Sequence, residues 1–95
     1  MARAKLKSLY SAIMLLRTTD EVEAFFRDLM TETELKELAK RWTCARMLQA
    51  GEPYVKIIEA TSLSSTTVAR VSRYLKNGAG GYRLILKRAN EESPL

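Results

Sequence analysis

The order of apolar and polar residues along the chain predicts α-helices from one end to the other. Apolar side chains that recur every three or four residues lie on one face of a helix. The first segment with this spacing contains Leu6, Leu9, Tyr10, Ile13 and Leu16. A second segment follows, with Thr19 as its expected N-cap, and contains Val22, Phe25, Phe26 and Leu29. No alternating strand pattern and no internal repeat is present.

A third, longer helix has clear signals at both ends. Thr31 and Glu34 form the T-x-x-E pattern of a capping box at its start. Gly51 stands where a left-handed residue commonly ends a helix. We expect its apolar face to contain Leu35, Leu38, Trp42, Ala45 and Leu48.

The predicted helices after Gly51 are shorter. The fourth begins with Pro53 as its first residue and ends near Thr61. Ser64 caps the fifth, which reaches Asn77, and the sixth spans 82–90 after a glycine-rich stop. Two short helices joined by a turn of three or four residues are the outline of a helix-turn-helix.

The fifth helix is predicted to have two different faces. At about 100° per residue, Val68, Val71 and Leu75 fall on one side. The opposite side and the helix N-terminus offer hydroxyls, guanidinium groups and free N–H groups, which suit phosphates and base edges. The candidate DNA contacts are Ser64, Ser65, Thr66, Thr67, Ala69, Arg70 and Arg73. The alternative is an ordinary cap followed by solvated arginines.

The charge distribution favours a polyanionic partner. The 95 residues carry a net charge of +5. Residues 1–17 contribute +4, residues 18–52 contribute −3 and residues 53–95 contribute +4. Basic ends around an acidic middle suggest a separate basic surface, as nucleic-acid-binding proteins have. Many small domains are basic without such a partner.

Composition narrows the remaining function classes. The chain has no histidine and one cysteine, Cys44, so we expect no metal site, no disulfide and no cofactor. We also expect no enzymatic activity, because neither a phosphate loop nor a paired-carboxylate signature is present. The absence of an export signal and of a long apolar segment predicts a cytoplasmic protein without a membrane partner.

Three segments together resemble the tryptophan repressor superfamily, and within it the YerC/YecD-type branch. They are "LMTETELKELAKRW", "MLQAGE" and "IIEATSLSSTTVARVSRYL", within a resemblance that covers about residues 9–90. The resemblance implies a bacterial transcriptional regulator, a repressor that binds double-stranded DNA. It also implies an all-α, intertwined homodimer in which each chain forms a single domain over 1–95. In that domain, 1–51 would hold the dimerisation helices, 53–77 the helix-turn-helix and 82–90 the C-terminal helix.

The resemblance also implies where a small effector would bind. In the tryptophan-responsive repressor the indole lies between two arginines, which match Arg41 and Arg70. The other matching positions are Thr31, with Met30 beside it, and Tyr74, where the family has a serine. Bulky Val71 and Tyr74 suggest a filled cavity, so we expect DNA binding without free tryptophan and leave another effector open. Arg41 has the alternative of pairing with Glu37 or Glu34 at helical spacing.

A second function class also fits these features. A helical module with a basic face could dock an acidic protein or an RNA without any effector. The dependence of affinity on salt and on nucleic-acid sequence separates the two classes.

Overall fold

A computed structural model describes residues 2–92 of the chain. Residues 1 and 93–95, at the two ends of the predicted domain, lie outside the described part. Within 2–92 the secondary structure consists of six helices without a strand, which confirms the all-α prediction. The helices are α1 (Arg3–Ile13), α2 (Thr19–Leu29), α3 (Glu32–Gln49), α4 (Tyr54–Thr61), α5 (Ser65–Asn77) and α6 (Gly81–Glu92).

The chain divides into two compact units, one up to Leu35 and the other from Lys36 onward. The first contains α1, α2 and the start of α3, and α1 and α2 bury no residue completely. Tyr10 on α1 and the two residues that follow this helix, Met14 and Leu15, are exposed. Leu16, expected on the first helix, lies beyond the end of α1 at Ile13. The apolar pattern of this unit therefore forms helices without enclosing a core of its own.

The caps of α2 and α3 follow local sequence closely. The N-cap of α2 is Thr18 and not Thr19 as predicted: its Oγ1 accepts a hydrogen bond from the Glu21 amide at 3.1 Å. Glu21 stands three residues after Thr18, so this choice completes a T-x-x-E pattern. The capping box of α3 is confirmed, with Thr31 Oγ1 accepting from the Glu34 amide at 3.1 Å and Glu34 Oε1 accepting from the Thr31 amide at 2.9 Å.

The second unit has a small core to which α3, α4, α5 and α6 all contribute. Its buried apolar residues are Cys44, Ala45, Ile57, Leu63, Val68, Val71 and Leu86. Trp42 and Leu48, predicted on the inner face of α3, pack against this core while remaining partly exposed. Cys44 is fully buried, and burial raises the pKa of its thiol.

The connections in this unit position α4 and α5. Gly51 has a φ of 83°, which confirms the left-handed end of α3. Pro53 is the N-cap of α4 and not its first residue, because its ψ of 153° is extended. α6 begins one residue earlier and ends two residues later than predicted, at Gly81 and Glu92. None of the helices within 2–92 is long and apolar enough to cross a membrane.

Candidate nucleic-acid interface

The turn between α4 and α5 is held by short-range hydrogen bonds. The Thr61 hydroxyl donates to the Ile57 carbonyl at 2.7 Å and accepts from the Leu63 amide at 3.2 Å. Ser62 has a left-handed backbone with a φ of 59°. Leu63 is buried in the core, so the three-residue turn is anchored at its centre. This arrangement sets the direction in which α5 starts.

Ser64 is the N-cap of α5, as predicted. Its Oγ accepts from the Thr67 amide at 3.1 Å, and its hydroxyl donates to Thr67 Oγ1 at 3.0 Å. These two hydroxyls therefore bond to each other within the cap. The first amides of a helix have no carbonyl partner inside it, so this end of α5 is suited to an anion.

The rest of α5 separates into a buried and an exposed side. Val68 and Val71 are 0% and 2% exposed, and Leu75 is partly buried. Six of the seven candidate DNA contacts are exposed: Ser64, Ser65, Thr66, Ala69, Arg70 and Arg73. The seventh, Thr67, is half-buried. The helix thus presents hydroxyls and guanidinium groups on the face opposite its core contacts.

Arg73 has a neighbour that restricts it. Its guanidinium carbon lies 5.6 Å from the centre of the Tyr74 ring. A cation over an aromatic face is attracted by the ring quadrupole. Arg73 therefore has an attractive contact with the next side chain on the exposed surface of α5.

The candidate effector residues fall in both units of the chain. Met30 and Thr31 belong to the first, and the Thr31 hydroxyl is engaged in the α3 capping box. Arg41, Arg70 and Tyr74 belong to the second.

Arg41 pairs with Glu37, one of the two glutamates predicted as partners from their spacing along the helix. Its Nε lies 3.8 Å from Glu37 Oε2, and both side chains are partly exposed. Burial raises the pKa of the Tyr82 phenol, and the positive charge of Arg41 opposes this increase. Arg41 therefore has electrostatic partners within its own unit.

Tyr74 lies beside an open, mostly apolar depression of about 660 Å³. Its ring is 51% exposed, so it forms part of the wall and does not plug an enclosed cavity. Val71, in contrast, is buried in the core and is absent from this wall. The residues that line the depression are Trp42, Tyr74, Gly78, Ala79, Gly81, Tyr82 and Ile85.

The structure adds one residue to the interface region that the sequence patterns did not single out. Arg83 Nε donates to the Leu75 carbonyl at 2.9 Å, and its Nη2 donates to the Lys76 carbonyl. A basic residue shortly after the end of a helix was the available signal, since such residues often bond to the last carbonyls. The glycine-rich turn that brings Arg83 back to α5 could not be predicted in detail.

Comparison with known proteins identifies the family. The family model described as Trp repressor protein matches residues 4–90. The chain belongs to the Trp repressor family. A protein of Bacillus subtilis, the uncharacterized YerC, is 39% identical over 87 residues, which cover 92% of this chain and 84% of that protein.

Two solved structures have the Trp repressor fold of this chain. A Staphylococcus aureus protein described as a Trp repressor has a TM-score of 0.87 and 36% identity, over 94% of this chain and 89% of that chain. A TrpR-like protein from Eubacterium eligens has a TM-score of 0.85 and 35% identity, over 90% of this chain and 88% of that chain. The predicted Trp repressor-like, YerC-type membership is therefore confirmed. Membership of this family indicates a helix-turn-helix DNA-binding regulator and no enzyme.

Proposed function

We propose that the chain is a sequence-specific transcriptional regulator, a repressor, that binds double-stranded DNA as a homodimer in the cytoplasm. The observation that supports this most is the two-sided α5: a valine face in the core and an exposed face of hydroxyls and arginines. In this proposal Thr66 and Arg73 contact base edges in the major groove, while Ser65, Arg70 and the start of α5 contact phosphates.

The homodimer is supported by apolar surface in the first unit. Met14 and Leu15 are 82% and 76% exposed, and Tyr10 is 59% exposed. Contiguous exposed apolar side chains usually mark a protein contact. A second copy of the chain is the occupant we propose, and its two-fold symmetry would place two α5 helices in successive major grooves. The half-sites would then be separated by about 34–36 Å.

Selection from a pool of random duplexes tests the DNA proposal. We expect one duplex sequence to be enriched and to resist competitor DNA. If five or six phosphates are neutralised, the slope of log affinity against log salt should be about −5. A pool without enrichment would contradict the proposal and favour the protein-interaction or RNA-binding module.

Two variants on α5 make the selection result specific to this helix. Arg73→Ala and Thr66→Ala should lower the preference for the selected duplex by roughly tenfold, because a good base contact contributes about 1–3 kcal/mol of discrimination. Arg88→Ala on α6 and Thr33→Ala on α3 are matched controls, since both residues are exposed and neither is a candidate contact. Equal losses in variants and controls would show that α5 does not read the sequence.

For the effector, we propose that DNA binding does not require free tryptophan. The support is local: Tyr74 stands at a serine position of the family, and Arg41 pairs with Glu37. A different small effector near Arg41 and Arg70, with Tyr74 as a further contact, is compatible with this proposal.

Calorimetry with tryptophan tests the effector proposal. We expect no micromolar binding, and we expect DNA affinity to be the same with and without tryptophan. Micromolar binding that also tightens DNA binding would contradict it. Tyr74→Ser, which restores the small side chain of the family, is the informative comparison: a gain of tryptophan binding in this variant would identify Tyr74 as the block.

A further inference from the structure

Arg83 holds the exposed end of the recognition helix. The two hydrogen bonds from its guanidinium group to the carbonyls of Leu75 and Lys76 join α6 to the last turn of α5. We call these three residues the Arg83 clasp. The last carbonyls of a helix have no partner within it, and buried or ordered helix ends need an external donor. The clasp supplies that donor for two of them.

The turn between the helices makes the clasp possible. The Tyr74 carbonyl accepts from the Gly78 amide at 2.8 Å, which closes the helix end just before the turn. A Cβ on Gly78 would stand 2.4 Å from that same carbonyl oxygen, so the close approach needs glycine. Gly80 has a φ of 93°, a left-handed conformation that glycine adopts without strain. The chain thereby reverses within a few residues and returns Arg83 to the end of α5.

The clasp connects the recognition helix to the core by a second route. Leu86, three residues after Arg83 on the same helix, is only 3% exposed and belongs to the core of this unit. α5 is already held along its length by Val68 and Val71. Packing of these valines leaves the last turn of α5 able to rotate and fray. The planar guanidinium group of Arg83, with its two hydrogen bonds to that turn, restricts both motions. Its positive charge also lies at the negative end of the helix dipole.

We propose that Arg83 is a positioning residue for sequence recognition, which rests on the proposed function of α5. Arg83 contacts no DNA in this proposal. It fixes the end of α5, and this in turn keeps Arg73, two residues before Leu75, in register with the base edges. An exposed arginine in a basic region would otherwise be read as a phosphate contact. The two roles differ because a phosphate contact needs the charge, while the clasp needs the guanidinium fork.

Arg83→Lys separates the two roles because it keeps the charge and removes the fork. For the clasp, we expect the ratio of affinities for selected and competitor duplexes to fall by about tenfold, with the salt slope unchanged. Arg83→Gln should give a similar loss of preference. Arg88→Lys and Arg88→Gln, at another exposed arginine of α6, are the controls and should keep the original preference. Circular dichroism at the binding temperature should show all four variants folded.

Three results would overturn the proposal. The first is an Arg83→Lys protein with the original preference, together with an Arg83→Gln protein whose salt slope is about one unit shallower, since this is the pattern of a phosphate contact. The second is loss of folding in both Arg83 variants, which would mean that Arg83 holds the fold as a whole. The third is an Arg88 control with the same loss of preference.

Amide hydrogen exchange measured without DNA tests the Arg83 clasp independently of the proposed DNA-binding function. The amide of Gly78 bonds to the Tyr74 carbonyl at the end of α5, so its exchange should be faster in Arg83→Lys than in Arg88→Lys. If the original chain selects no duplex, the DNA proposal fails while this measurement still reports on the clasp. If the original chain selects a duplex and the exchange rates are equal, the clasp proposal alone fails.

Discussion

Gly78 illustrates how a single missing side chain shapes the end of α5. Its position in the glycine-rich segment predicted a helix stop, and the structure gives the atomic reason, since the Tyr74 carbonyl occupies the space that a Cβ would need. A Cβ on Gly81, three residues later, would have no such heavy atom within 4 Å. The two glycines look alike in the sequence and have different structural requirements.

Replacing each of these glycines with alanine should therefore give opposite results. Gly78→Ala should lower the free energy of unfolding by about 1–3 kcal/mol, because the backbone at Tyr74 must shift to admit the methyl group. Gly81→Ala, at the first residue of α6, should be neutral or slightly stabilising. Urea denaturation at one fixed protein concentration measures both. Equal stabilities would show that the turn relaxes freely.

At the scale of helices, the capping box of α3 links the start of this helix to the protonation of Glu34. The Thr31 amide donates to the Glu34 carboxylate and, with a smaller effect of the Thr31 hydroxyl, lowers the pKa of Glu34. The carboxylate form is thus favoured in the folded chain. Because the pKa of Glu34 is lower in the folded chain than the unfolded value of about 4.3, its carboxylate stabilises the folded chain fully at pH values above the unfolded pKa. This contribution is lost as the pH falls through the folded-state pKa.

Glu34→Gln should accordingly remove part of the acid sensitivity of α3. Between neutral pH and about pH 3, the difference in unfolding midpoint between the original chain and this variant should shrink as Glu34 becomes protonated. Thr31→Ala is the matched variant, because it keeps the backbone amide that has the larger effect and should retain most of the pH dependence. Thermal unfolding followed by circular dichroism measures all three proteins. A constant difference across the pH range would contradict this account.

At the scale of the whole molecule, the proposed dimer has a thermodynamic signature. If a second copy covers the exposed apolar residues of α1 and of the segment after it, folding and association are linked, and the unfolding temperature should rise with protein concentration. Met14→Lys should weaken this dependence and shift sedimentation toward the monomer, because Met14 is 82% exposed in the single chain. Ser8→Lys adds the same charge at an exposed position of α1 and should leave the dimer in place. Concentration-independent unfolding of the original chain would contradict the homodimer.

The structure agrees most closely with the sequence patterns where the interactions are local. The α3 capping box, the Ser64 cap and the left-handed Gly51 each depend on residues within a few positions of one another, and all three are confirmed. The N-cap of α2 was placed one residue late because two adjacent threonines offered the same side chain. The distinction depended on the Glu21 spacing, which is itself local and could have been used.

The sequence by itself determined the six helices, their order and the two faces of α5, because helical periodicity and capping act over one or two turns of chain. Tertiary structure alone decided which side chains are enclosed: Cys44 is fully buried, whereas the neighbouring Trp42 remains partly exposed at the edge of the core. It also decided the partner of Arg83, seven and eight residues away across a glycine turn. Burial and such contacts depend on how separate helices meet in space, and helical spacing along one segment carries no information about that meeting.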